Sequence, residues 1–86
     1  MPEVCRFYGI VIKMYFADHS PPHFHAEYSE FEARIAIDSL AVLSGTLPPR
    51  AMGLVAEWAT LRQHELRGLW EKASRLEPLH RLDPLP

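Results

Sequence analysis

A single cysteine, Cys5, is all the thiol chemistry available to this chain of 86 residues. No intramolecular disulfide can form, and neither a Cys-x-x-Cys pair nor any cysteine-pair zinc pattern can be built. A reducing compartment fits. Positive charge in excess is missing too. Nine Lys and Arg face eleven Asp and Glu, a net charge of −2, so the field that phosphate-backbone binding draws on is absent and broad nucleic-acid affinity is not favoured. No apolar run approaches the ~20 residues that span a bilayer, and Met-Pro-Glu-Val-Cys-Arg at the start is not a basic segment followed by an apolar one. The expectation is a cytosolic protein with no membrane segment. Repeats, low-complexity tracts and linkers are lacking as well.

What is present suits one folded unit. An apolar fraction of 48% with 23% charged residues is ordinary for a globular domain, and a chain this short cannot divide into two independent cores. Its core is small, so self-association stays open. Charge is uneven: residues 1–45 hold three basic and six acidic groups, residues 46–86 six basic and five acidic.

Residues 9–17 read as a strand, with Ile10, Ile12, Met14 and Phe16 on one face and Val11, Lys13 and Tyr15 on the other. Pro21-Pro22 after Asp18-His19-Ser20 then turns the chain. Residues 23–28 alternate again: Phe24, Ala26 and Tyr28 inward, His23, His25 and Glu27 outward. Residues 31–37 repeat the pattern, with Phe31, Ala33, Ile35 and Ile37 inward. Keeping both inward sets together demands a two-residue turn, Ser29-Glu30, and pairs Tyr28 with Phe31, Ala26 with Ala33 and Phe24 with Ile35. Neither turn residue is the Gly or Asn that such turns prefer. A further short strand over 41–46 completes the meander.

Pro48-Pro49 opens a helix. Met52, Leu54, Val55, Trp58, Leu61, Leu66, Leu69, Trp70, Ala73 and Leu76 fall within about half a helical circle, which predicts one long helix over 48–76, with Trp58 and Trp70 in the core. Arg62 and Glu65 lie inside the stripe, where they either pair over the sheet edge or mark where the helix outruns the sheet. Cys5 reads as a small apolar filler. Residues 77–86 form an extended tail. The predicted fold is α+β: an antiparallel meander of three or four strands, covered on one face by the helix.

The other sheet face carries the chemistry. If Phe16, Met14 and Ile12 lie opposite Phe24, Ala26 and Tyr28, then Tyr15, His25 and Arg34 form one outward row and Lys13, Glu27 and Glu32 the next, with His23 between Ala17 and Ala36. Opposed glutamates need a cation between them, which Lys13 or a metal supplies. Three readings compete. Two imidazoles in a His-x-His pair can chelate Zn²⁺ or another divalent transition metal, with Glu27, His19 and Asp18 as further candidate ligands. Acid–base chemistry would use His23 and His25, with Arg34 steadying an anion and Tyr15 assisting. A partner-binding surface would use Lys13, Tyr15, His23, His25, Glu27 and Arg34.

The runs Arg6 to Phe16, Asp18-His19, Pro21-Pro22-His23-Phe24-His25-Ala26-Glu27-Tyr28, Leu47-Pro48, Glu57-Trp58 and Glu77-Pro78-Leu79 together resemble the small bacterial family called domain of unknown function 4160. Ser29 stands where the family usually has a turn glycine. The resemblance implies a bacterial cytosolic protein with no established activity, paired with a second small protein of the domain-of-unknown-function 2442 type in a toxin–antitoxin-like module. The first-choice reading is therefore the interaction component of such a pair, binding through the His-rich sheet face. The alternative is a metal- or His-dependent nuclease-like toxin using the same residues.

Overall fold

A computed structural model of the chain describes residues 2–86. Five strands follow one another as a meander, β1 (Glu3–Phe7), β2 (Ile10–Lys13), β3 (His23–Tyr28), β4 (Phe31–Ala36) and β5 (Val42–Thr46), and every neighbouring pair is antiparallel in the order β1-β2-β3-β4-β5. Two helices close the fold, α1 (Pro49–Leu61) and α2 (Gln63–Ser74). The α+β class and the antiparallel meander agree with the expectation, while the strand count and the single helix do not.

The extra strand is β1. It pairs with β2 through the two-residue turn Tyr8-Gly9, where both residues take the left-handed region at φ 50° and 81°. Its pairing slips between Glu3 and Cys5, so Val4 and Cys5 are buried in succession and the period-two pattern that marks a strand is broken. The next strand is shorter than 9–17. It leaves the ladder after Lys13; Met14 is still buried, but Phe16 is 43% exposed. Between β3 and β4 the two-residue turn and all three predicted pairs are present, with Ser29 held at φ 55°. Between β2 and β3 the register differs by two residues: Ile12, not Met14, lies opposite Ala26, and Lys13 lies opposite His25. Strand β5 is exposed along its whole length.

The predicted 48–76 helix is interrupted at Arg62 (φ −113°, ψ 15°). Just beyond the break, the Gln63 amide donates to the carbonyls of Ile37 (2.7 Å) and Asp38 (2.9 Å), tying α2 to the end of the sheet. The buried stripe keeps its phase across the break, from Ala51, Val55, Trp58 and Ala59 to Leu66, Leu69 and Ala73. Leu61 and Leu76, assigned to that stripe, are exposed. Arg62 and Glu65 pair at 3.2 Å, the first of the two alternatives for them. Leu76 ends α2 in the left-handed region at φ 58°, with Glu77 N–H donating to Lys72 O (2.8 Å) and Leu76 N–H to Ala73 O (3.1 Å). This is the Schellman pattern, with leucine where glycine is usual.

One core joins both layers. Ile10, Ile12, Phe24, Ala26, Ala33 and Ile35 of the sheet meet Val55, Trp58, Leu66 and Leu69 of the helices. Trp58 lies at its centre, 5.4 Å from Phe7 and 6.0 Å from Phe24 between ring centroids. Residues 77–86 hold no helix or strand, yet Leu82 and Leu85 are buried in the same core.

Candidate metal centre

The connection from β2 to β3 brings a carboxylate back over the start of β3. Asp18 Oδ1 accepts the backbone N–H of His19 at 2.8 Å, which leaves Oδ2 facing the strand. Two imidazoles meet it there, His23 Nε2 at 3.0 Å and His25 Nε2 at 3.5 Å. The ligating atoms of Asp18, His23 and His25 all lie within 4.8 Å of one another. Donor atoms held at about 2.1 Å by a tetrahedral ion stand about 3.4 Å apart, and the two Asp18–histidine distances, 3.0 and 3.5 Å, bracket that spacing.

Each histidine has an acceptor behind its second ring nitrogen. His23 Nδ1 is 2.8 Å from Pro21 O, and a carbonyl only accepts, so Nδ1 carries a proton and Nε2 is left for Asp18, donating to it when protonated and free to ligate an ion when not. His25 Nδ1 stands 3.4 Å from Glu32 Oε2, close enough for an ion pair but without the alignment of a hydrogen bond, and is otherwise a buried atom with no partner. Metal-binding histidines commonly give the second ring nitrogen to a carbonyl or carboxylate, as His23 does to Pro21 O. Burial raises the Asp18 carboxyl, but the His19 N–H and the two imidazoles outweigh it and hold the carboxyl below its usual range. At neutral pH the group is an anion.

The surroundings are aromatic. Trp70 of α2 lies against His23 at 5.1 Å between centroids, and Tyr15 meets His25 edge-on at 4.5 Å. His23 is consequently only 1% exposed. This corrects the expectation of an open sheet face: the His23 side chain is under Trp70 and cannot touch a partner, while Lys13, Tyr15, Glu27 and Arg34 stay partly accessible.

Of the candidate ligands, Asp18, His23 and His25 converge and two do not. His19 offers the cluster its backbone N–H, and its side chain is exposed. Glu27 pairs with Lys13 Nζ at 3.1 Å, a contact that raises the Lys13 ammonium above its ordinary pKa. Lys13 thus stands beside the opposed Glu27 and Glu32, as charge balance requires. Arg34 lies opposite His25 in the ladder but gives its Nε to Ser44 Oγ at 2.8 Å, leaning toward β5. Sequence reasoning missed Trp70 as the cover of His23 and Glu32 as the group behind His25. The second was within reach, since Glu32 is the diagonal cross-strand neighbour of His25 in the predicted register. A cleft of about 550 Å³ beside Tyr8, Tyr28 and Leu54 lies at the other end of β2 and β3 and contains no member of the cluster.

The fold and the cluster define a small α+β domain with a two-histidine, one-carboxylate centre sheltered by a helix. The chain belongs to the family described as Domain of unknown function (DUF4160), whose model matches residues 9–71. Residues 6–8 and 77–79, counted above among the resembling stretches, lie outside the matched residues. No curated protein and no solved structure matches the chain.

Proposed function

We propose that this protein binds a divalent transition metal through Asp18 Oδ2, His23 Nε2 and His25 Nε2, with zinc as the first-choice ion. The observation that carries the reading is the convergence of three donor atoms, with Asp18 and His23 each held by a backbone hydrogen bond and Glu32 3.4 Å behind His25. His23 Nε2 and an Asp18 carboxylate oxygen only 3.0 Å apart require a proton or a cation between them. Three protein ligands leave a coordination position for water or substrate, the arrangement of sites used in metal-assisted hydrolysis. The same donor set also serves iron(II).

Elemental analysis and calorimetry of untagged protein beside the His23→Ala/His25→Ala double variant test the reading. Stoichiometric zinc or iron, lost in the variant, is expected; a wild-type protein with no metal and no heat of binding at micromolar Zn²⁺, Fe²⁺ or Mn²⁺ overturns it. A second reading keeps the protein as the cytosolic interaction component of a two-protein module. It is favoured by β5, an edge strand with no charged residue and with Val42 and Leu43 exposed, which suits addition of a partner strand. Co-purification with a domain-of-unknown-function 2442 protein, abolished by Leu43→Lys, is its expected signature, and independent migration of the two proteins would remove it.

A further inference from the structure

The segment after α2 is bound to the domain as a ligand would be. Its leucines recur every third residue, and burial follows them: Leu79 is half-buried, Leu82 and Leu85 are buried, and His80, Arg81, Asp83, Pro84 and Pro86 are exposed. A period of three, with prolines at 78, 84 and 86, is the spacing of a polyproline II segment that presents one face. The domain reads its backbone. Leu82 N–H donates to Val4 O of β1 at 2.7 Å, the Trp58 indole N–H donates to Asp83 O at 2.8 Å, and the Tyr8 hydroxyl donates to Pro86 O at 2.6 Å. Aromatic donors on the carbonyls of an extended, proline-bearing segment, with an apolar slot for periodic side chains, are how proline-rich peptides are recognised. Charge is matched as well: Arg81 meets Glu3 at 2.9 Å, and Asp83 stands 3.9 Å from Arg62.

All of these contacts are made by residues 79–86. Only the link Leu76-Glu77-Pro78, with Leu76 and Pro78 exposed, joins them to α2, and it makes none of them. An identical segment from another chain would satisfy the same donors and fill the same slots. We propose that the groove between β1 and α1 takes the 79–86 segment of a second copy whenever a chain's own segment leaves it, so that two chains then join by reciprocal exchange of these segments. The competition is then between a chain's own segment, at the high effective concentration set by a three-residue link, and a neighbour's at its bulk concentration. Shortening the link tilts it toward the neighbour.

The test uses the whole chain with Glu77 and Pro78 deleted, beside the unaltered protein, in size-exclusion chromatography with light scattering. The deletion is expected to change the mass from one chain to two while Trp58 emission stays that of a buried indole. A folded monomer overturns the proposal. A second measurement needs no deletion: a fluorescent peptide of residues 78–86 is titrated into the unaltered chain and into Leu82→Asp, whose own segment is weakened. Anisotropy is expected to rise with a midpoint in about the millimolar range for the unaltered chain and at least tenfold lower for Leu82→Asp. No rise up to about 5 mM in either protein also overturns it.

Discussion

His23 Nε2 lies 3.0 Å from Asp18 Oδ2 in a pocket that leaves the histidine 1% exposed. The two groups are five positions apart and belong to different elements, a loop and the first position of β3, so the contact depends on how the β2–β3 connection returns over the sheet. Such a pair, shared with a second imidazole, is either a proton site or a metal site.

Glu32 separates these cases. If it orients His25 through Nδ1, Glu32→Ala is expected to weaken metal binding about 10- to 100-fold without unfolding the domain. Calorimetry with Zn²⁺ gives the affinity and circular dichroism the fold; an unchanged affinity would remove Glu32 from the site.

Trp58 is the largest side chain of the core and is fully buried. Trp58→Ala removes the contacts with Phe7 and Phe24 and the hydrogen bond to Asp83 O, and is expected to cost about 3–5 kcal/mol. That is a large share of the stability of a domain this small. Urea denaturation measures it, and a loss below about 1 kcal/mol would contradict the central place given to this residue.

Leu76 pays for its position at φ 58° with little burial in return, being 68% exposed. Leu76→Gly is expected to stabilise the protein by about 0.5–1 kcal/mol, the relief of a left-handed side chain less the added freedom of glycine in the unfolded chain. A lowered urea midpoint would show that leucine holds the link in some other way.

Glu3 joins Arg6 at 2.8 Å and Arg81 at 2.9 Å, and hydrogen bonds from these two guanidinium groups lower its carboxyl from 4.5 to about 2. The folded state therefore binds this proton less readily than the unfolded chain does. The stabilisation is complete above pH 4.5 and is lost as the pH falls through about 2. Thermal melts between pH 5 and pH 2 are expected to fall more steeply for wild type than for Glu3→Gln, and the gap to shrink in high salt, because the pair is exposed. Parallel curves would show that the ion pairs contribute nothing.

Much of the sheet was legible from alternation alone. Phe24, Ala26 and Tyr28 against Phe31, Ala33 and Ile35 leave one register for a two-residue turn, and that register is found. The β2–β3 register was not legible, because a turn signal such as Pro21-Pro22 says that the chain reverses and not how many residues it spends doing so. Strand β1 escaped because its irregular pairing buries Val4 and Cys5 consecutively. The break at Arg62 was hidden by a buried stripe that continues in phase on both sides. At the site, a carboxylate and two histidines within one short stretch announced the donors. The burial of His23 depends on Trp70, which is far away in sequence and reads simply as a core residue.

Trp70 also gives the centre an optical consequence. Its indole stands about one ring width from His23, whereas Trp58 is enclosed elsewhere in the core. A quenching ion such as Cu²⁺ settling on His23 Nε2 would darken one of two tryptophans and leave the other emitting. Occupancy of this site is therefore written into the protein's own fluorescence, and no label has to be attached to read it.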